Sequence, residues 1–290
     1  MSANNKVTSS SLMRKKQRGE KITLLTAYDY SMAKFINKAG VDIILVSDAV
    51  GTVGLGRPEA VSVSMNEMIY HTQAVRNGAG TSMVVTTLPF GSYETEDQAV
   101  KNAVRLMKEG KADGVHLEGT KEDAEKAARI IDAGIPLIAH VGITKQKIVR
   151  SGTIRIQGKT ASGASEILKE VIAFADSGAC AIILECIPVR LGEIITKSLE
   201  VPTISIGAGP SCDGQALITQ DMLGLFKELS PRFLKVYLDL SDIIVKALTQ
   251  FREEVEQGTF PTLDHSYTIN DDELEKLVLE MTNLLGRNKV

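Results

Sequence analysis

From Lys21 to about Val245, short apolar runs alternate with longer amphipathic segments. The runs are "KITLLTAY", "DIILVSD", "TSMVVTTL", "DGVHLE", "PLIAHVG", "CAIILE" and "PTISIGAG", all rich in Val, Ile, Leu and Thr. Runs this short and this continuously apolar are the pattern of strands buried on both faces of a parallel sheet. A weaker eighth candidate is "QALITQD" around Leu217.

The segments between the runs carry helix signals. Ser64 with Glu67, and Thr95 with Gln98, have the spacing of a capping box, and Thr120 with Asp123 is a weaker version. "DQAVKNAVRLMKEG" places Ala99, Val100, Ala103, Val104 and Met107 on one stripe and stops at Gly110. "KEDAEKAARIIDAG" repeats the device and stops at Gly134. Strand–helix units repeated this often favour a closed (β/α)8 TIM barrel over an open doubly wound sheet. The glycines of "GTVGLG" have the wrong spacing for a dinucleotide fingerprint, which also argues against the open sheet.

"LDLSDIIVKALTQFREEVEQGTFP" reads as the last barrel helix, ended by Gly258 and Pro261. A further helix, with Leu274, Leu277, Val278 and Met281 on one face, follows it. The expected organisation is an N-terminal arm or helix over 1–20, a barrel over 21–267 and a C-terminal helical extension over 268–290.

Composition changes this picture little. Hydrophobic residues make up 43% and charged residues 24%, ordinary for a globule with a substantial core. A net charge of −3 offers no general attraction to nucleic acid or to an anionic membrane. No apolar run approaches the roughly 18 residues of a membrane span. The polar, basic N-terminus lacks the apolar region of a secretory signal, and a short transit peptide stays open. Cys180, Cys186 and Cys212 form no CxxC pair and suggest neither a disulfide framework nor a zinc site, so a reducing, cytoplasmic setting is expected.

Functional side chains of such a barrel sit at the C-terminal ends of its strands. The strand ends supply Asp48, Thr87, Glu118, His140 and Glu185. Asp48 and Glu118 are hard oxygen donors of the kind Mg²⁺ takes, and each could instead cap a following helix. His140 ends an apolar run and could be a catalyst or a hydrogen-bonded core residue. His116 lies two residues before Glu118, hence on the same strand face and within reach of the same ligand. Glu185, in apolar company, suits a general acid or base, or a salt bridge to Arg190. Gly207 and Gly209 fit either an anion-binding loop or a tight turn. His71 and His265 are assigned no chemistry.

The blocks "TAYDYSMAKFINKAGVDIILVSDAVG", "TLPFGSY", "AHVGITKQ", "IQGKT", "LECIP" and "IGAGPSCDGQ" resemble, in order, the ketopantoate hydroxymethyltransferases. That family is similar in turn to the phosphoenolpyruvate mutase and isocitrate lyase barrels. The resemblance covers Ser11 to Tyr267. It implies a cytoplasmic homo-oligomer that binds Mg²⁺ and uses 5,10-methylenetetrahydrofolate to hydroxymethylate 3-methyl-2-oxobutanoate on the way to pantothenate and coenzyme A. By the same resemblance, Glu185 and His140 are catalytic, Asp48 and Glu118 hold the metal, and Asp48, Ala49, Thr87 and His116 line the 2-oxo acid.

Three of these positions depart from the family pattern. Ala49 stands where the family has serine, Thr87 where it has aspartate, and His116 where it has lysine. The departures cluster around the oxo acid and point to an altered substrate or a weakened metal site. They keep open a folate-independent lyase or aldolase acting on another 2-oxo acid, and a non-catalytic paralogue.

Overall fold

In the computed structural model, which describes residues 6–153, 155–228 and 231–286, the expected alternation of strands and helices is present. Residues 1–5 of the N-terminal arm and 287–290 of the C-terminal extension lie outside the described residues.

Helix α1 (Ser9–Gln17) precedes strand β1 (Ile22–Thr26). Then come α2 (Tyr30–Lys38), β2 (Ile43–Val46), the short α3 (Val50–Val53), α4 (Met65–Gly78) and β3 (Met83–Thr87). Helix α5 (Glu96–Lys108), β4 (Gly114–Glu118), α6 (Ala124–Asp132) and β5 (Leu137–Gly142) follow. Next are α7 (Lys145–Ser151), α8 (Ala161–Asp176), β6 (Ala181–Glu185) and α9 (Val189–Ser198). Strand β7 (Thr203–Ile206), β8 (Gly214–Leu217) and a single turn, α10 (Thr219–Met222), complete the series. Each strand pairs in parallel with its neighbours, and β8 returns to β1, so the sheet closes into a (β/α)8 TIM barrel.

The starts of the helices follow the sequence signals. Ser64 and Glu67 form a reciprocal capping box on α4, and the Thr95 hydroxyl accepts the Gln98 N–H at the head of α5. Thr120 and Asp123 form the same box on a single 3-10 turn.

Alternation along the strands sorts the core into two layers. Ile44, Val46, Val84, Leu117, Val141 and Leu184 pack outward beneath the helices. Ile43, Leu45, Met83, Val85, Ile138 and Ile183 fill the barrel interior. The strict period of two therefore sends Thr87, His116, Glu118, His140 and Glu185 inward at the far ends of their strands.

Helix α1 belongs to the interior layer. Leu12 is fully buried in the same cluster as Ile22, Ile43 and Met83. Lys15 and Lys16 pair with Asp42 (2.5 Å) and Asp213 (2.7 Å), which precede β2 and β8. The helix thus plugs the N-terminal mouth. Leu12→Ala should destabilise the protein by about 2–5 kcal/mol, because the side chain is fully buried in the interior cluster and its removal leaves a cavity; a denaturant melt with unchanged m-value checks this.

The contacts divide the chain after Leu238. Helix α11 (Leu240–Glu256), expected from sequence as the last barrel helix, groups instead with α12 (Asp271–Gly286) in a unit covering 239–290. Residues 6–228 thus complete the eight strands without α11. Helix α11 buries none of its residues; Ile243, Ile244, Leu248 and Phe251 are exposed on it. Leu274, Leu277, Val278 and Met281 are likewise exposed on α12.

Candidate active site

The two threonines that end β3 divide their work. Thr86 points outward, and its hydroxyl meets that of Thr72 on α4 at 2.9 Å. Thr87 points inward, and its hydroxyl lies 2.9 Å from His116 Nδ1. Their strands are in register, with Thr87 opposite His116, so the contact follows directly from the sheet.

The contacts continue across the mouth. His116 Nε2 is 3.0 Å from His140 Nδ1, and His140 Nε2 is 2.9 Å from Glu185 Oε2. The last approach is oblique and leaves the ring nitrogen without a well-aligned partner. One proton arrangement suits the whole chain: the Thr87 hydroxyl donates to His116, His116 Nε2–H donates to His140, and His140 Nε2–H faces the Glu185 carboxylate. Burial, and next the neighbouring His140, keep the His116 imidazole well below its ordinary value of 6.5, so it is neutral. Thr87, His116 and His140 are all buried, whereas the Glu185 side chain is 26% exposed. Glu185 is therefore the end of the chain open to a ligand. Arg190, the alternative partner for Glu185, pairs with Glu193 instead.

A second cluster stands beside the first, built around a residue to which sequence reasoning assigned no role. The Lys145 ammonium lies 2.7 Å from Asp48 Oδ1 and in close contact with Glu118 Oε1. Glu118 Oε2 also accepts the Lys145 backbone N–H at 2.9 Å. Neither acid caps the helix after its own strand: α3 has no side-chain cap, and the 3-10 turn after β4 is boxed by Thr120 and Asp123. Burial drives the Asp48 carboxyl above the ordinary aspartate range, with Lys145 opposing and Glu118 adding to the effect. Burial also works against the Glu118 charge, yet the Lys145 ammonium beside it holds it below the ordinary glutamate range. For Lys145 burial is again the opposing influence; Asp48 and Glu118 outweigh it and secure the ammonium charge.

Glycine geometry delivers Lys145 to this position. Gly142 ends β5 at φ +112°, and a Cβ there would lie 2.1 Å from the Glu185 carbonyl oxygen. The chain turns tightly past β6, Thr144 caps α7, and Lys145 becomes its first residue. Gly142→Ala forces a left-handed backbone onto a residue with a side chain and pushes β6 away at its C-terminal end. It should cost about 1–3 kcal/mol in stability and lower turnover by about 10²-fold through misplacement of Glu185; a thermal melt and steady-state kinetics read the two effects.

Other expected residues find plainer uses. Ala49 precedes α3, partly buried beside Asp48. Gly207 (φ +71°) and Gly209 (φ +99°) face Phe233 and Val189, which fill the space beside them, so here they serve a tight turn. His71 Nδ1 contacts the Tyr28 carbonyl at 2.8 Å. Tyr93, also missed from sequence, donates to the Glu118 carbonyl at 3.0 Å and pairs with Gln146. A hollow of 360 Å³ opens beside the loops after β4 and β5, lined by Phe90, Thr120, Thr144, Gln146 and Val149 among others.

His116, Glu118 and His140 each offer one donor atom, all within 4.8 Å of one another, and could hold a metal ion. Two imidazoles and a carboxylate suit a transition metal better than Mg²⁺, and binding one would break the His116–His140 contact. Asp48 and Glu118 do not fit Mg²⁺ while Lys145 stands between them. Mg²⁺ demands near-octahedral oxygen coordination at 2.0–2.1 Å, and the space between these carboxylates already holds an ammonium. The hydroxyl that could add a third oxygen, on Thr87, is turned to His116.

The model of the ketopantoate hydroxymethyltransferase family matches residues 6–263. The chain belongs to that family. It is 46% identical over 273 residues to the 3-methyl-2-oxobutanoate hydroxymethyltransferase of Enterococcus faecalis (strain ATCC 700802 / V583), covering 94% of this chain and 99% of that relative. It is 45% identical to the enzyme of the same name from Syntrophus aciditrophicus (strain SB), with coverage of 92% and 98%. Among solved structures, a phosphonopyruvate hydrolase shares the fold at a TM-score of 0.60 and 13% identity, covering 98% of this chain and 99% of that one. A 2,3-dimethylmalate lyase, described as a member of the phosphoenolpyruvate mutase and isocitrate lyase superfamily, matches at 0.58 and 15% identity, covering 98% and 96%. The family and the barrel expected from the motifs are both present. No helix among the described residues is long and apolar enough to cross a membrane.

Proposed function

We propose that the protein transfers a hydroxymethyl group from 5,10-methylenetetrahydrofolate to 3-methyl-2-oxobutanoate, giving 2-dehydropantoate, with Glu185 as the proton acceptor. The observation that carries this reading is the partly exposed Glu185, backed by His140 at 2.9 Å at the open end of a buried polar chain. One Glu185 oxygen is engaged by His140; the other takes the proton from C3 of the oxo acid. The C3–H electron pair moves into an enolate, whose charge rests on the former keto oxygen. C3 then attacks the one-carbon unit of the folate, and a C–C bond forms as that carbon's two C–N bonds break; water supplies the hydroxyl oxygen, and the protons from C3 and from water go to the two folate nitrogens as tetrahydrofolate leaves. Thr87, His116 and His140 hold the carboxylate in place and keep it ready to receive a proton.

Family membership at 42–46% identity to enzymes of this name supports the choice of substrates. The hollow beside Thr144 and Gln146 supports room for the larger co-substrate near the same mouth. A cytoplasmic homo-oligomer is part of the same proposal, and the exposed apolar side chains of α11 and α12 support assembly.

The test is an assay of the purified protein on a panel of 2-oxo acids with and without the folate, alongside exchange of the C3 proton in D2O. Formation of 2-dehydropantoate only when folate is present supports the proposal. Release of a smaller oxo acid without folate would point to the lyase reading, and absence of both turnover and exchange would end the enzymatic one.

A further inference from the structure

Two buried acids and one cation form a closed unit in the mouth of this barrel. Asp48 is 1% exposed, the Glu118 side chain 7% and the Lys145 side chain 20%. The ammonium touches one oxygen of each acid, and the backbone N–H of the same lysine binds the second oxygen of Glu118. A bridging position between two carboxylates is where a divalent ion would sit, and here the polypeptide fills it with its own charge.

We propose that Lys145 is the resident cation of this site: its ammonium stands in for a divalent metal between Asp48 and Glu118, and acts as an electrophile toward the substrate. This rests on the enolate chemistry proposed above. An ammonium carries three N–H donors. One is bonded to Glu118, the ammonium charge lies 2.7 Å from Asp48 Oδ1 without a well-aligned bond to it, and an N–H left over serves the keto oxygen as negative charge develops on it. A fixed donor aimed at developing charge in a water-poor site lowers the barrier without reorganisation. No other lysine or arginine among the described residues pairs with Asp48 or Glu118.

The inference separates from the assigned reaction experimentally. Calorimetric titration with Mg²⁺ alone should show no binding to the wild-type protein at millimolar concentration. Lys145→Ala empties the bridging position and should bind Mg²⁺ at least about tenfold more tightly than wild type, with a melting temperature that rises on adding Mg²⁺. Where Lys145→Ala fails to fold, the wild-type titration and the chelator assay stand alone as tests. Wild-type turnover should survive chelator treatment without added Mg²⁺. Mg²⁺ binding equal in wild type and variant, a folded variant that gains no Mg²⁺ affinity, or chelator inactivation reversed by Mg²⁺ would each overturn the role given to Lys145. Absence of turnover under every condition would count against the assigned reaction, while the titrations would still decide the lysine.

Discussion

Glu185→Gln should lower kcat by about 10²–10⁴-fold, the range by which a positioned general base accelerates proton transfer. The substitution keeps the size of the side chain and an oxygen for His140 Nε2–H, so the polar chain from Thr87 stays assembled. What it removes is the ability to accept a proton from C3. KM for the oxo acid should change little, because the loss falls on a step rather than on binding. Exchange of the C3 proton in D2O isolates that step from the folate reaction and should fall with kcat. If exchange in the glutamine variant matched wild type while transfer failed, the proton would be leaving by another route, and Glu185 would belong to the later chemistry.

Much of this site was legible in the sequence because a parallel barrel obeys simple rules. Apolar runs ending in Thr87, Glu118, His140 and Glu185 share one polarity, so their last side chains meet at one mouth. The His116–Glu118 spacing placed both on the inner face, and they do lie there with His140. The partner of each residue was not legible. Thr87 meets His116, and His116 meets His140, only because β3, β4 and β5 pair in a particular register, which no single strand encodes. Thr87 and His116 therefore act as one unit, a hydroxyl and an imidazole in contact.

Lys145 shows the other limit. A lysine in the first turn of a helix ordinarily projects into water, so "AHVGITKQ" gave no reason to single it out. Its inward path depends on the left-handed Gly142 and the Thr144 cap, features of loop geometry rather than of pattern. Helix α11 shows the same limit. Its apolar stripe shows that a face is to be covered but carries no information about what covers it.

Lys145→Met should destabilise the fold by about 3–5 kcal/mol, the cost of leaving a buried charge without its partner. Methionine matches the length of the lysine stem and fills the same volume, so cavity formation contributes little. Two acids would then share a low-dielectric space with no cation between them, and like charges at short range oppose each other as well as burial. A natural comparison is Asp48→Asn in the Lys145→Met background. Removing one of the stranded charges should recover part of the loss, so the double variant should be more stable than Lys145→Met alone, although each change is destabilising by itself. Denaturant melts of the four proteins close the cycle and measure the coupling directly. Additive losses would mean that ammonium and carboxylate do not depend on one another, and the ion pair would then be an incidental contact rather than the element that lets two acids coexist inside the barrel.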